Sequence, residues 1–134
     1  MKQVLVDTDI LSLFFKEHPG VVARFKEYLK EYETLNFSII TYYEIVSGLK
    51  YRDARKQIGS FLKFAGYNSI LPLTTQSVTI SADIYNNLRK QGELIDDIDI
   101  LIAGIALAND LVLVTGNEKH FKRIEGLKLQ NWSY

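Results

Sequence analysis

Apolar positions along the chain alternate between short runs and helix-spaced sets. Val4, Leu5 and Val6 form a run with two β-branched residues, which predicts a buried strand. Ile10, Leu11, Leu13 and Phe14 then follow the spacing of the first turns of a helix. Pro19 and Gly20 mark a turn. Over 21–32, Val21, Val22, Phe25, Tyr28 and Leu29 recur near helical spacing with Lys and Glu between them. Residues 35–40 predict a second strand, and from Thr41 the period becomes helical, with Tyr42, Ile45, Val46 and Leu49 on one side. A further helix over 51–65 has Ile58, Phe61, Leu62 and Ala65 spaced for burial and is ended by Gly66. The pattern then predicts a strand at 69–73 and a helix at 77–90 closed by Gly92. An acidic loop at 93–97 leads to a helix at 98–108, a strand at 111–114 and a last strand at 127–130.

Short strands alternating with helices predict an α/β domain with a mainly parallel central sheet. No repeat, low-complexity tract or linker divides the chain, so 1–134 is expected to be a single domain. Its 134 residues, 47% of them hydrophobic, suffice for a core of its own.

Lys plus Arg and Asp plus Glu each number 16, so net charge gives no overall pull toward nucleic acid or membrane. An acidic pocket and a basic rim cancel in such a sum. The absence of cysteine excludes disulfides, thiol nucleophiles and Cys-ligated zinc, and fits a reducing compartment. The first apolar run is too short for a signal peptide. The most apolar later segment, 98–113, is broken by Asp99, Asn109 and Asp110, so no membrane span is expected. The expectation is a soluble, cytoplasmic protein.

Candidate chemistry lies in the acids. Asp7 ends the first strand, at the rim where open parallel sheets bind ligands; starting a turn is its plainer role. Asp9 suits a cap for a helix beginning at Ile10, so capping is assigned to Asp9 and chemistry to Asp7. Thr41-Tyr42-Tyr43-Glu44 fits a capping box, which leaves Glu44 two roles, cap partner or rim ligand. Asp96, Asp97 and Asp99 crowd a helix start, where the dipole stabilises each acid by roughly 0.3–1 kcal/mol. Three in four positions exceed what capping needs, and they repel one another unless a cation is near. Asp96 and Asp99 share a helical face, and Asp97 points elsewhere. Asn117, after the strand at 111–114 and the sharp turn at Gly116, offers a neutral oxygen to the same rim. Carboxylates meeting there without matching Lys or Arg call for a hard cation, Mg2+ or Mn2+.

Two basic sets follow these acids: Lys50, Arg52, Arg55 and Lys56, and then Lys119, His120, Lys122 and Arg123. Singly they are solvated helix faces; as sets they would flank the pocket and hold phosphates. Phe25, Tyr28, Tyr32, Tyr42, Tyr43 and Tyr51 are many aromatics for two helices and predict an interface, with Phe25 and Tyr28 half expected to pack on the sheet instead.

The series V-L-V-D-T-D-I-L, S-I-I-T-Y-Y-E-I-V-S-G-L and D-I-D-I-L-I-A-G-I-A-L-A-N-D-L-V-L-V-T-G-N-E-K-H-F resembles a PIN domain, from Val4 to about Leu127. More narrowly it resembles the VapC-type ribonuclease toxins of type II toxin–antitoxin pairs. The resemblance implies a three-layer α/β/α sandwich and Mg2+- or Mn2+-dependent endonucleolytic cleavage of RNA. It also implies a VapB-type antitoxin partner and a toxin homodimer. By position it makes Asp7, Glu44 and Asp99 the metal ligands. Asn117 joins them in the catalytic set, and Thr8 and Thr115 match supporting polar positions. Many relatives carry a fourth acid where Asn117 stands, which puts a second tightly held metal in question and leaves Asp96 or Asp97 as substitutes. A haloacid-dehalogenase-like phosphatase shares the D-T-D start, but it wants Thr or Val where Leu11 stands and a lysine before a late acidic pair. A receiver domain wants an Asp after strand three, where Leu71-Pro72-Leu73-Thr74 offers none. A catalytically silent PIN module for RNA binding or scaffolding is the remaining alternative, and the intact acids oppose it.

Overall fold

The computed structural model describes residues 2–134; Met1, inside the expected domain, lies outside the described residues. The chain runs β1 (Val4–Val6), α1 (Thr8–Phe15), α2 (Pro19–Tyr28), β2 (Asn36–Ser38), α3 (Ile39–Tyr51), α4 (Arg55–Gly66) and β3 (Ser69–Leu71). It continues with α5 (Thr75–Lys90), α6 (Asp97–Ala108), β4 (Val112–Val114), α7 (Glu118–Phe121) and β5 (Leu129–Gln130). The five strands form one sheet in the order β3-β2-β1-β4-β5, and every pairing is parallel.

Parallel strands covered on both faces read as continuous apolar runs. Val4 and Val6 of β1 and Val112 and Val114 of β4 face one core, shared with Phe25, Tyr28, Phe37, Phe61 and Trp132. Leu5 and Leu113 face the other, shared with Ile84, Leu88, Ile102, Ile105 and Phe121. The sheet is thus the middle layer of an α/β/α sandwich, with α1 to α4 on one side and α5 to α7 on the other. After β1 the chain moves outward through β2 and β3, then returns to place β4 on β1's opposite edge. The crevice where direction reverses lies between the C-terminal ends of β1 and β4, the usual ligand site of such sheets.

Several local expectations are corrected. Pro19 and Gly20 are not a separate turn but the first turn of α2, where proline lacks only an N–H that has no helical partner. His18 Nδ1 caps this helix at Val21 N, and it ends at Tyr28 rather than 32. β2 stops at Ser38, whose Oγ accepts from Thr41 N at 3.0 Å. Ser38 is therefore the cap of α3, and the capping box expected from Thr41 and Glu44 does not form. α3 runs through Tyr51, and Asp53, at φ +51°, turns the chain into α4. Leu62 is 45% exposed because α4 buries the stripe of Phe61 and Ala65, and Leu62 sits about 100° around from Phe61. The aromatics divide: Phe25 and Tyr28 are buried and Tyr32 and Tyr42 pack against the core, but Tyr43 and Tyr51 are 66% and 93% exposed. Among the described residues no helix is long and apolar enough to cross a membrane.

Candidate active site

Asp7 sits at the switch point. Its N–H donates to Val114 O at 2.9 Å, so the last rung of the β1–β4 ladder fixes its backbone. Its side chain is 6% exposed. Oδ1 accepts from Thr8 N at 2.8 Å and Oδ2 from Thr115 Oγ1 at 2.8 Å. Asp7 is therefore the N-cap of α1, the role expected of Asp9, because the helix begins at Thr8 and not at Ile10. Burial, with the nearby Asp9 and Asp99 carboxylates, pushes its pKa up to about 7 from the usual 3.8, against the opposing pull of the Thr115 and Thr8 hydrogen bonds.

Asp9 does something else. Its Oδ1 accepts from Ile10 N at 2.8 Å and its Oδ2 from Gly116 N at 2.9 Å, which ties α1 to the loop after β4. A Cβ at Gly116 would stand 2.7 Å from that Oδ2. Glycine thus suits the close approach of the Asp9 carboxylate there. Burial raises the Asp9 pKa, Glu44 adds to the rise, and the hydrogen bonds from Gly116 and Ile10 counter it.

Glu44 reaches the rim from the second turn of α3. Its Oε1 accepts from Thr8 Oγ1 at 2.6 Å. Thr8 Oγ1 also lies 2.9 Å from Thr41 Oγ1, which lies 3.3 Å from Ser38 Oγ. Ser38, Thr41 and Thr8 form a hydroxyl chain ending on the carboxylate. Because Ser38 does the capping, Glu44 is left to accept from Thr8 and to stand near Asp9 and Asp99.

Asp99 enters from the first turn of α6 and is half-buried. Its pKa is raised by burial first, then by Asp96 and Glu44, and nearby His120 opposes the rise. Asp96 is the N-cap of α6 without a side-chain cap bond. Asp97 is exposed and is not among the charges that raise Asp7, Asp9 or Asp99. Asn117 sits across the crevice after β4. Its N–H donates to Thr115 Oγ1 at 3.0 Å, and its Nδ2 lies 3.0 Å from His120 Nδ1. Buried Thr115 thus holds Asp7 and the Asn117 backbone with one hydroxyl.

The structure brings Asp7, Glu44, Asp99 and Asn117 to one rim and leaves Asp97 outside it. Asp9 is drawn in as a tie, and His120, expected only as one member of a basic set, stands beside Asn117 and Asp99. The signal for His120 was the three-residue step from Asn117, which puts both on one helical face. Nothing local announced the Ser38–Thr41–Thr8 chain.

Among the described residues, no Lys or Arg forms an ion pair with Asp7, Asp9, Glu44 or Asp99. Nor do any three Asp, Glu or His side chains among them close into a ready-made metal cage. Crowded carboxylates, with the pKa values of Asp7, Asp9 and Asp99 raised and the rim open to solvent on one side, fit a hard divalent ion that keeps part of its water shell, as Mg2+ does, better than a closed cage. Asp7, Glu44 and Asp99 are the carboxylates at this rim that could offer oxygens to such an ion, and none of them is committed to a basic partner among the described residues.

Comparison with known proteins places the fold. Residues 4–127 match the PIN domain family. The chain is 30% identical over 129 residues to ribonuclease VapC2 of Rickettsia felis, covering 96% of both chains. It is 32% identical over 129 residues to ribonuclease VapC1 of Methanocaldococcus jannaschii, covering 95% of this chain and 86% of that one. Its fold superposes with a TM-score of 0.85 on a chain of VapBC2 from Rickettsia felis bound to a promoter DNA fragment, at 29% identity over 96% of this chain and 98% of that one. A parallel α/β/α sandwich with its acids at the β1–β4 crevice, matched over nearly its whole length by these relatives, belongs to the PIN domain family, in its VapC branch.

Proposed function

We propose that this protein is a Mg2+- or Mn2+-dependent endoribonuclease and the toxin of a type II toxin–antitoxin pair, acting in the cytoplasm. The observation that carries this reading is the set of three carboxylates, Asp7, Glu44 and Asp99, gathered at the switch-point rim without a basic partner. The activity of the two relatives, ribonuclease, supports it. The VapBC2 assembly supports a VapB-type antitoxin as partner. Tyr43 and Tyr51, exposed on α3, support a further contact with a second copy of the chain.

A bound divalent ion supplies charge neutralisation for the scissile phosphate and makes water a better nucleophile at neutral pH. The chain's own residues prepare that site. Thr115 and the Thr8 N–H fix both oxygens of Asp7, so the carboxylate needs no reorganisation when a cation arrives. Thr8, backed by Thr41 and Ser38, sets the orientation of Glu44. Asn117, held through Thr115 and His120, presents an amide rather than a fourth charge, which limits repulsion of an incoming phosphate.

The test is cleavage of single-stranded RNA by the purified chain with and without Mn2+, together with Asp99→Asn. Cleavage is expected with metal and absent in EDTA. Asp99→Asn is expected to lower the rate about a thousandfold, since an ion contributes several kcal/mol to such a reaction. The parent's melting temperature should rise with millimolar Mn2+. A Mn2+-stabilised parent that leaves RNA intact would instead mark a silent PIN module.

A further inference from the structure

A cavity of about 690 Å³ opens from the acidic rim and runs between α1, α3 and α4. Thr8 and Glu44 stand at its rim end. Lys16, Arg52 and Lys56 stand at the other. Thr8 to Lys16 along α1, and Glu44 to Arg52 along α3, are each eight residues, or about 12 Å at the helical rise. The cations are thus a few nucleotides of unstacked strand from the acids. Gly48 leaves the floor open, since a Cβ there would meet nothing within 4 Å. Buried Phe61 and the 39% exposed ring of Phe15, 5.7 Å apart edge to face, form an aromatic wall. Gln57 and Ser60 supply polar edges beside it.

The charges of this trough are not neutralised by ion pairs among the described residues. None of Lys16, Arg52 and Lys56 has an ion-pair partner among the described residues, whereas neighbouring Arg55 is taken by Asp53 at 3.1 Å. Lys16 and Arg52 follow helix C-termini, where cations are favoured. Lys56 lies in the first turn of α4, where the helix dipole disfavours it. Three unpaired cations at one end and a carboxylate site at the other suit a polyanion that spans the trough.

We propose that the trough is the subsite for single-stranded RNA on one side of the scissile bond, an inference that rests on the ribonuclease reading above. With the scissile phosphate at the rim, the strand continues between α1 and α3. A phosphate a few nucleotides along lies against Lys16, Arg52 and Lys56, and an unstacked base lies against Phe15, with Gln57 and Ser60 at its edge. Base stacking on aromatic rings and charge contact to the backbone are the usual means of holding single strands. A cavity this size admits a nucleotide. A smaller cavity, about 40 Å³ beside Lys2 and Asp110, does not.

The experiment is fluorescence anisotropy with a labelled single-stranded oligoribonucleotide in EDTA, so that binding is read without cleavage. The triple variant Lys16→Gln, Arg52→Gln, Lys56→Gln is expected to raise Kd at least tenfold. It should also flatten the dependence of log Kd on log salt by about 0.7 for each phosphate that is no longer neutralised. Gly48→Phe, which fills the trough from an unobstructed position, should raise Kd several-fold. Lys26→Gln, Lys30→Gln, Lys63→Gln removes as much charge elsewhere and should leave Kd and slope near the parent values. Parent-like binding by the first two variants overturns the proposal, as does a parent that binds no oligoribonucleotide. It is also overturned if those two variants weaken only the co-produced partner protein, which would make the trough a protein-docking groove. A parent that binds RNA with this pattern but never cuts it, with Mg2+ or Mn2+, would refute the nuclease reading and leave the subsite standing.

Discussion

The helical layers on the two sides of the sheet solve the same packing task in opposite ways. On the α5–α6 side, small residues close the seam. Gly104 faces Ser77 and Ser81 so tightly that a Cβ would run into Ser81 Oγ and the Ser77 carbonyl. Ser81 Oγ uses the approach to donate to Ile100 O at 3.0 Å. On the α1–α3–α4 side, large rings hold the helices apart. Phe14 stacks on Phe25 at 4.2 Å, Phe15 meets Phe64 edge to face at 5.0 Å, and Phe61 packs near Tyr42 at 5.8 Å. Space remains between the outer faces of these helices, and it opens on the acidic rim. A closed seam fixes where Asp99 stands; an open one leaves room beside Glu44.

The largest effect that tests this contrast is Gly104→Ala. The obstructing atoms include a backbone carbonyl, which cannot swing away, so a stability loss on the order of 3 kcal/mol is expected in urea unfolding. A loss under about 1 kcal/mol would show the seam to be looser than described.

Asp7 lies between the two layers and gives the next effect. Its folded pKa, about 7, exceeds the ordinary 3.8. Between those values the folded protein keeps a proton that the unfolded chain has released. The stabilisation from Asp7 is therefore complete below about pH 4 and is lost as pH rises through 7. In EDTA, Asp7→Asn is expected to stabilise the protein by on the order of 2 kcal/mol at pH 8, with the gain shrinking toward pH 4. The same variant should lose the Mn2+-dependent rise in melting temperature. Equal stability of parent and variant at pH 8 would show that the buried carboxylate carries no strain.

Gly48→Ala on the open side is the smallest probe. Nothing obstructs its methyl group, so the gain in helix propensity should appear as a stabilisation of roughly 0.5–1 kcal/mol. Two helical glycines, each changed to alanine, are thus expected to shift stability in opposite directions.

Much of the frame was legible in the sequence, because strands buried on both faces leave apolar runs such as Val4–Val6 and Val112–Val114 that no helix pattern competes with. Helix starts were harder. Ile39 and Ile40 look like strand, yet Ser38 has already capped α3, since a serine at a strand end and a threonine three residues on are equally plausible caps in a linear reading. The capping expected of Asp9 falls to Asp7 for the same reason: the helix begins earlier than the apolar spacing indicates. The tail was not legible at all. Trp132 is buried against Phe25 and Tyr28, at 5.4 and 5.8 Å, although more than a hundred residues separate it from them in sequence. The trough was equally hidden, because it depends on how three helices lie together and not on any one period. Of the basic set Lys50, Arg52, Arg55 and Lys56, only Arg52 and Lys56 line it.

The tie between Asp9 and Gly116 has a consequence for how this chain can change over generations. Position 116 has no room for a methyl group while the carboxylate of position 9 occupies its approach, and the carboxylate loses a hydrogen bond if the loop moves away. The two sites are therefore coupled: a methyl group at 116 fits only if the Asp9 carboxylate swings aside and gives up the Gly116 hydrogen bond, so the cost of changing both is expected to differ from the sum of the two single changes.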